Sequence, residues 1–437
     1  MQEMKCVIEQ AVGQITLCVE SAILELDENG LTIRQKQKRF AHQSLIEVRY
    51  LHVLWAQATA EQMTIHYVAE RHKTLKAAKR VFLLLDQSTS SSSSQIQAWI
   101  QLLLDRAYGE SKPQKHLKIY LNPFSGKGSA IELYYRRLVR EDREIGSWDA
   151  IVCCSGDGLP YEVINGIAQR DNAGHILRNV PVVQLPGGSG NAMCVNMFKT
   201  TSISHAALYT IKGVRQPIDL MSVTQGDKRY ISFLSQNIGL LAECDLETES
   251  LRFLGGKRFA VGFLQRLFKP PVYGCDLAVY DSTSQHSTDH QADRHGSEVN
   301  GESQHGLPDL QFGSVNDSLP ESWKRQFPFV DAESKVFPDA RPDDGLVDII
   351  IVDSGIGTWR LLQLFKRVPE GNHLAMREVE VHHRKVSAYR FVPVRTRGAF
   401  SIDGERSSFQ PFQVEVHPQL GMTLVTPAGA EERSRSR

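Results

Sequence analysis

The chain has 437 residues, more than one ordinary hydrophobic core accommodates, so two or three domains are expected. Its 50 Lys and Arg residues balance its 50 Asp and Glu residues, so the net charge gives no reason to expect nucleic acid as a partner. The 7 cysteines lack CxxC spacing, which argues against a disulfide framework and a zinc site. The first residues contain no apolar signal segment, and no apolar run approaches the roughly 20 residues that span a bilayer. These features predict a cytoplasmic protein whose contact with membranes is peripheral.

The first part of the chain has the pattern of an all-β unit. Short alternating segments such as ITLCVE, ILELD and MTIHYVA are separated by polar turns up to about residue 88. Residues 95–108 then place apolar side chains, among them Trp99 and Leu103, on one helical face. Strands closed by one amphipathic helix resemble a pleckstrin-homology-like β module, which we predict over residues 1–112.

From residue 113 the pattern changes to repeated units of strand, glycine-rich loop and helix. LKIYLNPFSGKGS, DAIVCCSGDG and PVVQLPGGSGNAMCVNM each place an apolar strand before such a loop. Strands that alternate with helices predict a parallel sheet, and ligands bind at the carboxyl ends of its strands. We therefore predict an α/β domain over residues 113–212, with its ligand site at those strand ends.

The β pattern returns beyond residue 213, with segments such as PIDLMSVTQ, GLVDIIIVD and FQVEVHP. The fold class is thus α/β plus all-β, in which a second, β-sandwich-like domain covers residues 213–437. A stretch near residues 281–322 is rich in Ser, His, Asp, Gln and Gly and is predicted to be a disordered insertion, because it has little apolar area to bury.

The three glycine-rich loops are the candidate phosphate-binding elements, because backbone N–H groups exposed at such turns form concave anion sites. The first loop differs from a P-loop, since Gly128 follows Lys127 where a P-loop has Ser or Thr. The second loop places Asp157 between two glycines, where a carboxylate is able to accept the proton of an attacking hydroxyl. Each loop alone is also common turn chemistry; the ordered set of three favours a functional reading.

These residues resemble the diacylglycerol kinase catalytic-domain superfamily and, within it, the sphingosine or long-chain-base kinases of the fungal type. The matching blocks run from residue 122 to residue 405: NPFSGKG, SGDGLPYEVING, PGGSGNA, IDLMSV, IGLLAECDLETESLRFLGGKRF and IDGE. The resemblance implies an ATP- and Mg²⁺-dependent lipid kinase that phosphorylates the primary hydroxyl of sphingoid long-chain bases.

The resemblance also implies roles for individual residues. Asp157 is expected to be the general base that deprotonates the lipid hydroxyl. The expected nucleotide-binding residues are Asn122, Pro123, Phe124, Ser155, Gly156, Gly158, Glu162, Gly187, Gly188, Ser189, Gly190, Asn191, Arg252, Arg258, Asp403, Gly404 and Glu405. The expected substrate residues are Asp245, Asp219, Leu159 and Pro160. Asp245 is expected to hold the cationic head of a sphingoid base, whereas Asp219 is the weaker candidate and is also consistent with a structural role.

The chain departs from the family between its first two loops. Family members place a further β-α segment there, whereas here only residues 129–154 intervene, room for one helix and one strand. Loss of a strand removes nucleotide contacts and exposes apolar neighbours. The sequence therefore leaves two alternatives open beside the sphingoid-base kinase: a diacylglycerol or ceramide kinase, and a catalytically impaired scaffold.

Overall fold

The structure is a computed structural model. It describes residues 8–11, 14–19, 22–36, 43–84, 90–122, 129–248, 251, 257–268, 273–280, 306–318, 323–326, 340–352, 356–368 and 381–428. The chain divides into two compact units, one formed by residues 1–115, 200–214 and 425–437, the other by residues 116–199 and 215–424. The predicted boundaries near residues 112 and 212 stay predictions.

The elements follow the chain in a simple order. The strands are β1 (Ile8–Ala11), β2 (Gln14–Val19), β3 (Ala22–Leu26), β4 (Gly30–Lys36), β5 (Gln43–Arg49), β6 (Val53–Ala58), β7 (Gln62–Arg71), β8 (Thr74–Leu83), β9 (Leu117–Leu121), β10 (Ala150–Ser155), β11 (Val182–Pro186), β12 (Val214–Gln225), β13 (Lys228–Ser232), β14 (Gln236–Ile238), β15 (Cys275–Tyr280), β16 (Lys324–Gln326), β17 (Val347–Val352), β18 (Val381–Val386), β19 (Ala388–Pro393), β20 (Phe400–Ile402), β21 (Glu405–Ser407) and β22 (Phe412–Val425). The helices are α1 (Ser90–Tyr108), α2 (Ser129–Glu141), α3 (Gly158–Ala168), α4 (Ala173–Asn179), α5 (Ala192–Phe198), α6 (Ile203–Lys212), α7 (Leu240–Leu246), α8 (Lys257–Arg266) and α9 (Thr358–Arg367). Among the described residues, no helix combines the length and the apolar character that crossing a bilayer requires.

Two antiparallel sheets and helix α1 form the N-terminal part of the first unit, as the alternating pattern predicts. Strands β1 to β5 pair in chain order, and β6, β7 and β8 form a second sheet. Leu24 and Ile33 on the strands and Trp99 and Leu103 on α1 are buried in one hydrophobic cluster. The amphipathic face predicted for α1 therefore contributes to the core of this unit. The likeness to a pleckstrin-homology module stays a prediction.

The second unit begins with the predicted parallel sheet. Strands β9, β10 and β11 pair in parallel, in the order β11-β10-β9. The loops after β10 and β11 therefore lie at the same edge of the sheet, where α3 and α5 begin. This arrangement places the second and third glycine-rich loops next to each other.

Strand β9 lies at the end of this sheet and has one paired neighbour within the described residues, β10. The apolar side chains of Ile119 and Leu121 are 58% and 61% exposed. A strand of a parallel sheet is ordinarily covered on both faces. The exposure of β9 is what loss of a neighbouring β-α segment produces, in agreement with the short spacing between the first two loops.

The remainder of the second unit is the predicted β-rich domain. Its largest sheet has six strands in the order β13-β12-β22-β19-β15-β16, and β14, β20 and β21 form a smaller sheet. The rings of Phe400 and Phe412 stack with centroids 4.2 Å apart, and Phe391 stacks on Phe412 at 5.2 Å. These aromatic side chains fill the core between strands of the two sheets.

Part of the predicted disordered insertion lies within the described residues. Residues 306–318, inside the 281–322 stretch, are ordered against the β-rich domain. The Arg390 guanidinium donates from Nη1 to the carbonyl oxygen of Asp317 at 2.7 Å and from Nη2 to that of Ser314 at 3.0 Å. Hydrogen bonds from a buried arginine hold this segment, and the ring of Phe312 packs against those of Tyr280 and Trp323, contacts that composition alone does not reveal. The rest of the predicted insertion lies outside the described residues.

Candidate active site

The second and third glycine-rich loops touch each other through their backbones. A Cβ atom added to Gly188 would lie 2.3 Å from the Cα of Gly156, and one added to Gly156 would lie 3.0 Å from the carbonyl oxygen of Gly190. A side chain at Gly188 would therefore force the loops apart, since real Cβ atoms do not approach a backbone so closely. These glycines are needed to form one continuous loop surface at the edge of the sheet.

Asp157 is half-buried in this surface and points to the first turn of α5. The Ala192 N–H donates to its Oδ2 at 2.9 Å, and the Met193 N–H donates to its Oδ1 at 3.1 Å. Burial raises the pKa of this carboxyl, while the two backbone hydrogen bonds act in the opposite direction. The result is a carboxylate with a fixed orientation and an increased affinity for a proton, as a general base requires.

The third loop is shaped by its own asparagine. Asn191 Oδ1 accepts the N–H groups of Gly187 and Gly188, both at 3.0 Å, and its Nδ2 donates to the Gly188 carbonyl oxygen at 2.8 Å. The Gly187 N–H also donates to the carbonyl oxygen of Ser155 at 3.1 Å. Asn191 and two amides predicted to bind the nucleotide thus bond within the loops, and the half-buried Ser189 and Gly190 lie beside them.

Ser155 closes the end of β10 rather than pointing to a ligand. It is 3% exposed, and its Oγ donates to the carbonyl oxygen of Gly156 at 2.7 Å. In the first loop, the backbone N–H of Asn122 donates to the Cys154 carbonyl oxygen at 3.3 Å, which ties the end of β9 to β10. Pro123, Phe124 and the rest of that loop lie outside the described residues, and so does Arg252.

The structure places Glu162 in a buried ion pair. Arg136 on α2 donates from Nε and Nη2 to the two carboxylate oxygens of Glu162 on α3, at 2.8 and 2.7 Å. Both donors and both acceptors are thereby matched in a bidentate pair. This pair joins the two helices, and contact of Glu162 with ATP stays a prediction. No sequence motif singled out Arg136, because α2 carries several arginines.

Leu159 and Pro160 are also buried, on the first turn of α3. Leu159 is 5% exposed and packs in a core cluster with Val163 and Ile218. Leu159 is therefore part of the core, and contact of these two side chains with the substrate stays a prediction. Because α3 begins directly after the SGDG loop, these packed side chains help to fix the position of that loop.

The IDGE turn contains a second aspartate with a different environment. The carboxylate of Asp403 accepts the Ser232 hydroxyl at 2.6 Å and the N–H groups of Phe233, Leu234 and Ser235 at 2.9, 3.0 and 2.8 Å. The residue is 1% exposed, and burial raises its pKa to about 6. The carboxylate oxygens of Asp403 thus bond residues 232–235, and its contact with ATP stays a prediction.

The residues that follow Asp403 reach the loop surface. A Cβ on Gly158 would lie 2.5 Å from Glu405 Oε1, so the Glu405 carboxylate lies against the first residue of α3, next to Asp157. Gly404 has φ +84°, a conformation favoured by glycine, and a Cβ added to it would lie 3.4 Å from Asp245 Oδ2. The IDGE turn therefore brings Asp157, Glu405 and Asp245 into one region, although they are far apart in sequence.

Asp245 and Arg258, predicted to bind the lipid head and phosphate, are paired with each other. Arg258 Nη2 lies 2.5 Å from Asp245 Oδ1, and Nη1 donates to the Asp245 carbonyl oxygen at 2.8 Å. Arg258 is 4% exposed, and the Asp245 side chain is 15% exposed. This pair joins α7 to α8, and a cationic head group at Asp245 would share the carboxylate with Arg258.

Asp219 has the structural role that the sequence left open. Its Oδ2 accepts the N–H of Gly345 at 2.6 Å, and its Oδ1 accepts the N–H of Gln419 at 2.7 Å. Burial raises the pKa of the carboxyl, and the two hydrogen bonds oppose that shift. Asp219 thus joins three segments of the β-rich domain.

Metal binding at this surface would depend on few protein ligands. Among the described residues, no group of three or more His, Cys, Asp or Glu side chains is arranged to hold a metal ion. Mg²⁺ that arrives with a nucleotide needs only one or two carboxylates, because phosphates and water supply its other ligands.

Comparison with family models divides the chain into three matched segments. Residues 114–223 match the diacylglycerol kinase catalytic domain, and residues 329–425 match the YegS C-terminal NAD kinase beta sandwich-like domain. Residues 13–109 match a domain of unknown function, DUF7493. The first two matches cover the parallel sheet and the late β-strands, whereas the third assigns no function to the N-terminal strands.

Curated relatives share these segments over most of the chain. Sphingoid long chain base kinase 4 of Schizosaccharomyces pombe is 29% identical, over 88% of this chain and 89% of its own length. Sphingosine kinase 1 of Mus musculus is 30% identical, over 69% of this chain and 88% of its own length. Sphingoid long chain base kinase 5 of Saccharomyces cerevisiae is 28% identical over 79% of this chain, which spans 65% of that relative's length.

Proposed function

Because the chain belongs to the sphingosine kinase family, we propose that it transfers the γ-phosphate of ATP to the primary hydroxyl of sphingoid long-chain bases. The observation that carries the proposal is the position of Asp157. Its carboxylate is fixed by two backbone N–H groups at the point where two glycine-rich loops meet. The family membership agrees with the resemblance that the sequence motifs predict.

In the proposed reaction, Asp157 accepts the proton of the lipid hydroxyl while the hydroxyl oxygen forms a bond to the γ-phosphorus. The bond from that phosphorus to the bridging β-γ oxygen breaks, and ADP leaves. Fixed orientation matters because in-line transfer is mostly positioning and electrostatic stabilisation. Burial of Asp157 raises its pKa and so strengthens it as a proton acceptor.

The nucleotide would lie along the surface of the second and third loops, where glycines permit a close approach of phosphate. We assign Glu405, which lies against Gly158, to the lining of the ATP site, and Mg²⁺ would arrive with the nucleotide, held mainly by phosphate oxygens and water. When bound, Mg²⁺ supplies charge neutralisation across the β- and γ-phosphate oxygens. The first loop, with Asn122 at its start, would complete the site.

Asp245 carries the proposed preference for sphingoid bases over other lipids. A carboxylate attracts a protonated amine and accepts a hydrogen bond from a hydroxyl, whereas the ester region of a diacylglycerol has neither an amine nor a cation. Asp245 lies beside Gly404 of the IDGE turn, the turn that also carries Glu405 to Asp157. The head of the lipid and its reactive hydroxyl would thus be held by residues of one neighbourhood.

We also propose peripheral association with intracellular membranes from the cytoplasm. Three large apolar side chains on or next to α8 and α9 are strongly exposed: Leu264 at 57%, Phe268 at 84% and Trp359 at 67%. Apolar side chains of this kind bind at the boundary between head groups and acyl chains. Residues 213–437 would form the lipid-binding domain, residues 113–212 the ATP-binding domain, and residues 1–112 a pleckstrin-homology-like module.

The direct test is transfer of radiolabelled phosphate from ATP to sphinganine, diacylglycerol and ceramide by the full chain and by its Asp157→Asn variant. We expect labelled sphinganine phosphate with the unmodified chain only. Preferential labelling of diacylglycerol or ceramide would replace the substrate assignment. No transfer together with no rise of Tm in Mg·ATP would favour the scaffold alternative, since a ligand that binds the native state must stabilise it.

A further inference from the structure

A buried glutamine on β11 lies directly beneath the proposed catalytic carboxylate. Gln184 is 1% exposed and is flanked along the strand by Val183 and Leu185. A polar side chain in the interior of a parallel sheet is costly unless its donors and acceptors are paired. Its partners therefore indicate why a polar residue stands there.

Gln184 bonds both elements that determine where Asp157 stands. Its Nε2 donates to the carbonyl oxygen of Ser155 at 3.3 Å, at the end of β10 and two residues before Asp157. Its Oε1 accepts the N–H of Cys194 at 2.9 Å, in the first turn of α5. Gln184 also acts on Asp157 itself, where it lowers the pKa of the carboxyl in the manner of a hydrogen-bond donor.

The first turn of α5 is divided between these two side chains. The consecutive N–H groups of Ala192 and Met193 bond Asp157, and the next one, of Cys194, bonds Gln184. Three amides of one helix turn thus fix the helix, the carboxylate and the strand end relative to one another. Removal of the glutamine amide would leave the Cys194 N–H and the Ser155 carbonyl without these bonds and the carboxylate with one donor fewer.

We propose that Gln184 is a positioning residue that holds the Asp157 carboxylate in the orientation needed for proton transfer from the lipid hydroxyl. The inference deepens the proposed function and rests on it for its catalytic meaning. This positioning role is separate from the binding roles that the glycine-rich motifs imply, because Gln184 precedes the third loop and lies inside the sheet. Gln184 acts through Asp157 and touches neither proposed substrate.

The charge environment gives this role a measurable signature. The titratable groups that face Asp157 are the Cys194 thiol on α5 and the Glu405 carboxylate on the IDGE turn. The hydrogen bond from Gln184 favours the ionised carboxylate, so it lowers the pKa that burial raises. Gln184→Met keeps a similar volume but removes the donor, so the pKa of Asp157 must rise further. Gln184→Glu adds a like charge beside Asp157 and must raise the pKa of Asp157 more than Gln184→Met does.

The experiment follows Asp157 in the full chain by ¹³C NMR of aspartate carboxyl groups, and the signal is assigned by its absence in Asp157→Asn. We expect the titration midpoint to increase in the order unmodified chain, Gln184→Met, Gln184→Glu, with a step of at least about 0.5 pH units from loss of one hydrogen bond. In sphinganine phosphorylation, the acid limb of the kcat profile should shift in the same order. We expect kcat to fall about tenfold in Gln184→Met through misplacement of the base, with KM for ATP little changed.

Gln413→Met is the matched control. Gln413 is also 1% exposed, accepts Arg390 Nε at 2.7 Å and donates to the Gly313 carbonyl oxygen at 2.9 Å. Its loss should lower Tm as Gln184→Met does, while the Asp157 midpoint stays where it is. Equal midpoints in the unmodified chain and both Gln184 variants would overturn the inference. Since the NMR titration needs no turnover, it gives this answer even if the unmodified chain transfers no phosphate, a result that would reject the proposed function alone.

Discussion

Two turns of this protein contain the same Asp-Gly pair, and their surroundings give them opposite roles. In the SGDG turn, Asp157 accepts two N–H groups and stays half-buried at a loop surface. In the IDGE turn, Asp403 accepts four donors and is 1% exposed. An aspartate with spare acceptor capacity and access to ligand is suited to proton transfer, whereas one whose bonds order a neighbouring turn is suited to structure. The motif alone does not separate these roles; the number of donors and the exposure do.

The largest effect, on kcat, is expected at Asp157 in the SGDG turn. Asp157→Asn should lower kcat for sphinganine phosphorylation at least about 10³-fold, because the amide cannot take a proton from the hydroxyl. Steady-state kinetics with labelled ATP measures this effect. The Tm increase in Mg·ATP should persist in the variant. An active Asp157→Asn protein would show that the carboxylate is not the base.

At Asp403 in the IDGE turn, we expect an effect on protein stability that depends on pH. Burial raises the pKa of Asp403 to about 6, above that of an unfolded aspartate, so the folded protein binds this proton more tightly. The associated stability is fully present below about pH 4 and is lost as pH rises through about 6, on the order of 3 kcal/mol in all. Asp403→Asn does not titrate there.

Urea unfolding of both proteins between pH 4 and 7 measures this difference. The free energy of unfolding of the unmodified chain, relative to that of Asp403→Asn, should decline across the window. Parallel stability curves would contradict the buried, proton-binding role assigned to Asp403. They would also remove the contrast with Asp157.

A smaller effect, on the phosphorylation of the lipid, is expected at Asp245, which lies beside the IDGE turn. Asp245→Asn should lower kcat/KM for sphinganine about 30-fold, because a neutral amide loses the attraction to the ammonium group. KM for ATP should change much less. Asp219→Asn is the control carboxylate, since its two oxygens bond the backbone N–H groups of Gly345 and Gln419. An equal loss in both variants would reject a specific role of Asp245 in binding the head group.

The smallest effect on catalysis is expected at Glu162. Glu162→Gln keeps the size of the side chain but removes one charge of the pair with Arg136, which should cost about 3 kcal/mol of stability or less. KM for ATP should stay within about twofold once the folded fraction is taken into account. A large increase in KM for ATP, measured at saturating sphinganine, would instead support contact of Glu162 with ATP.

The sequence predicts the elements better than it predicts the side-chain partners. Period-two and glycine-loop patterns are local, so they indicate the N-terminal strands, the three parallel strands and the loops after β10 and β11. The partners of Asp403 stand about 170 positions away in sequence, and those of Glu162 and Gln184 come from other elements. Such contacts depend on how elements pack, which a single sequence does not encode in any short pattern. The order of segment 306–318 escapes prediction for the same reason.

The bare face of β9 has a consequence for how this protein behaves in solution. LKIYL contains one charge, and Lys118 is engaged with Asp142 at 3.1 Å and lies 5.4 Å from the ring of Trp148. Ile119 and Leu121 therefore stand on the strand without a charged gatekeeper beside them. An extended apolar strand of this kind is a template for the addition of another strand. Precipitation at high concentration should accordingly begin at β9, and a lysine in place of Ile119 would oppose it.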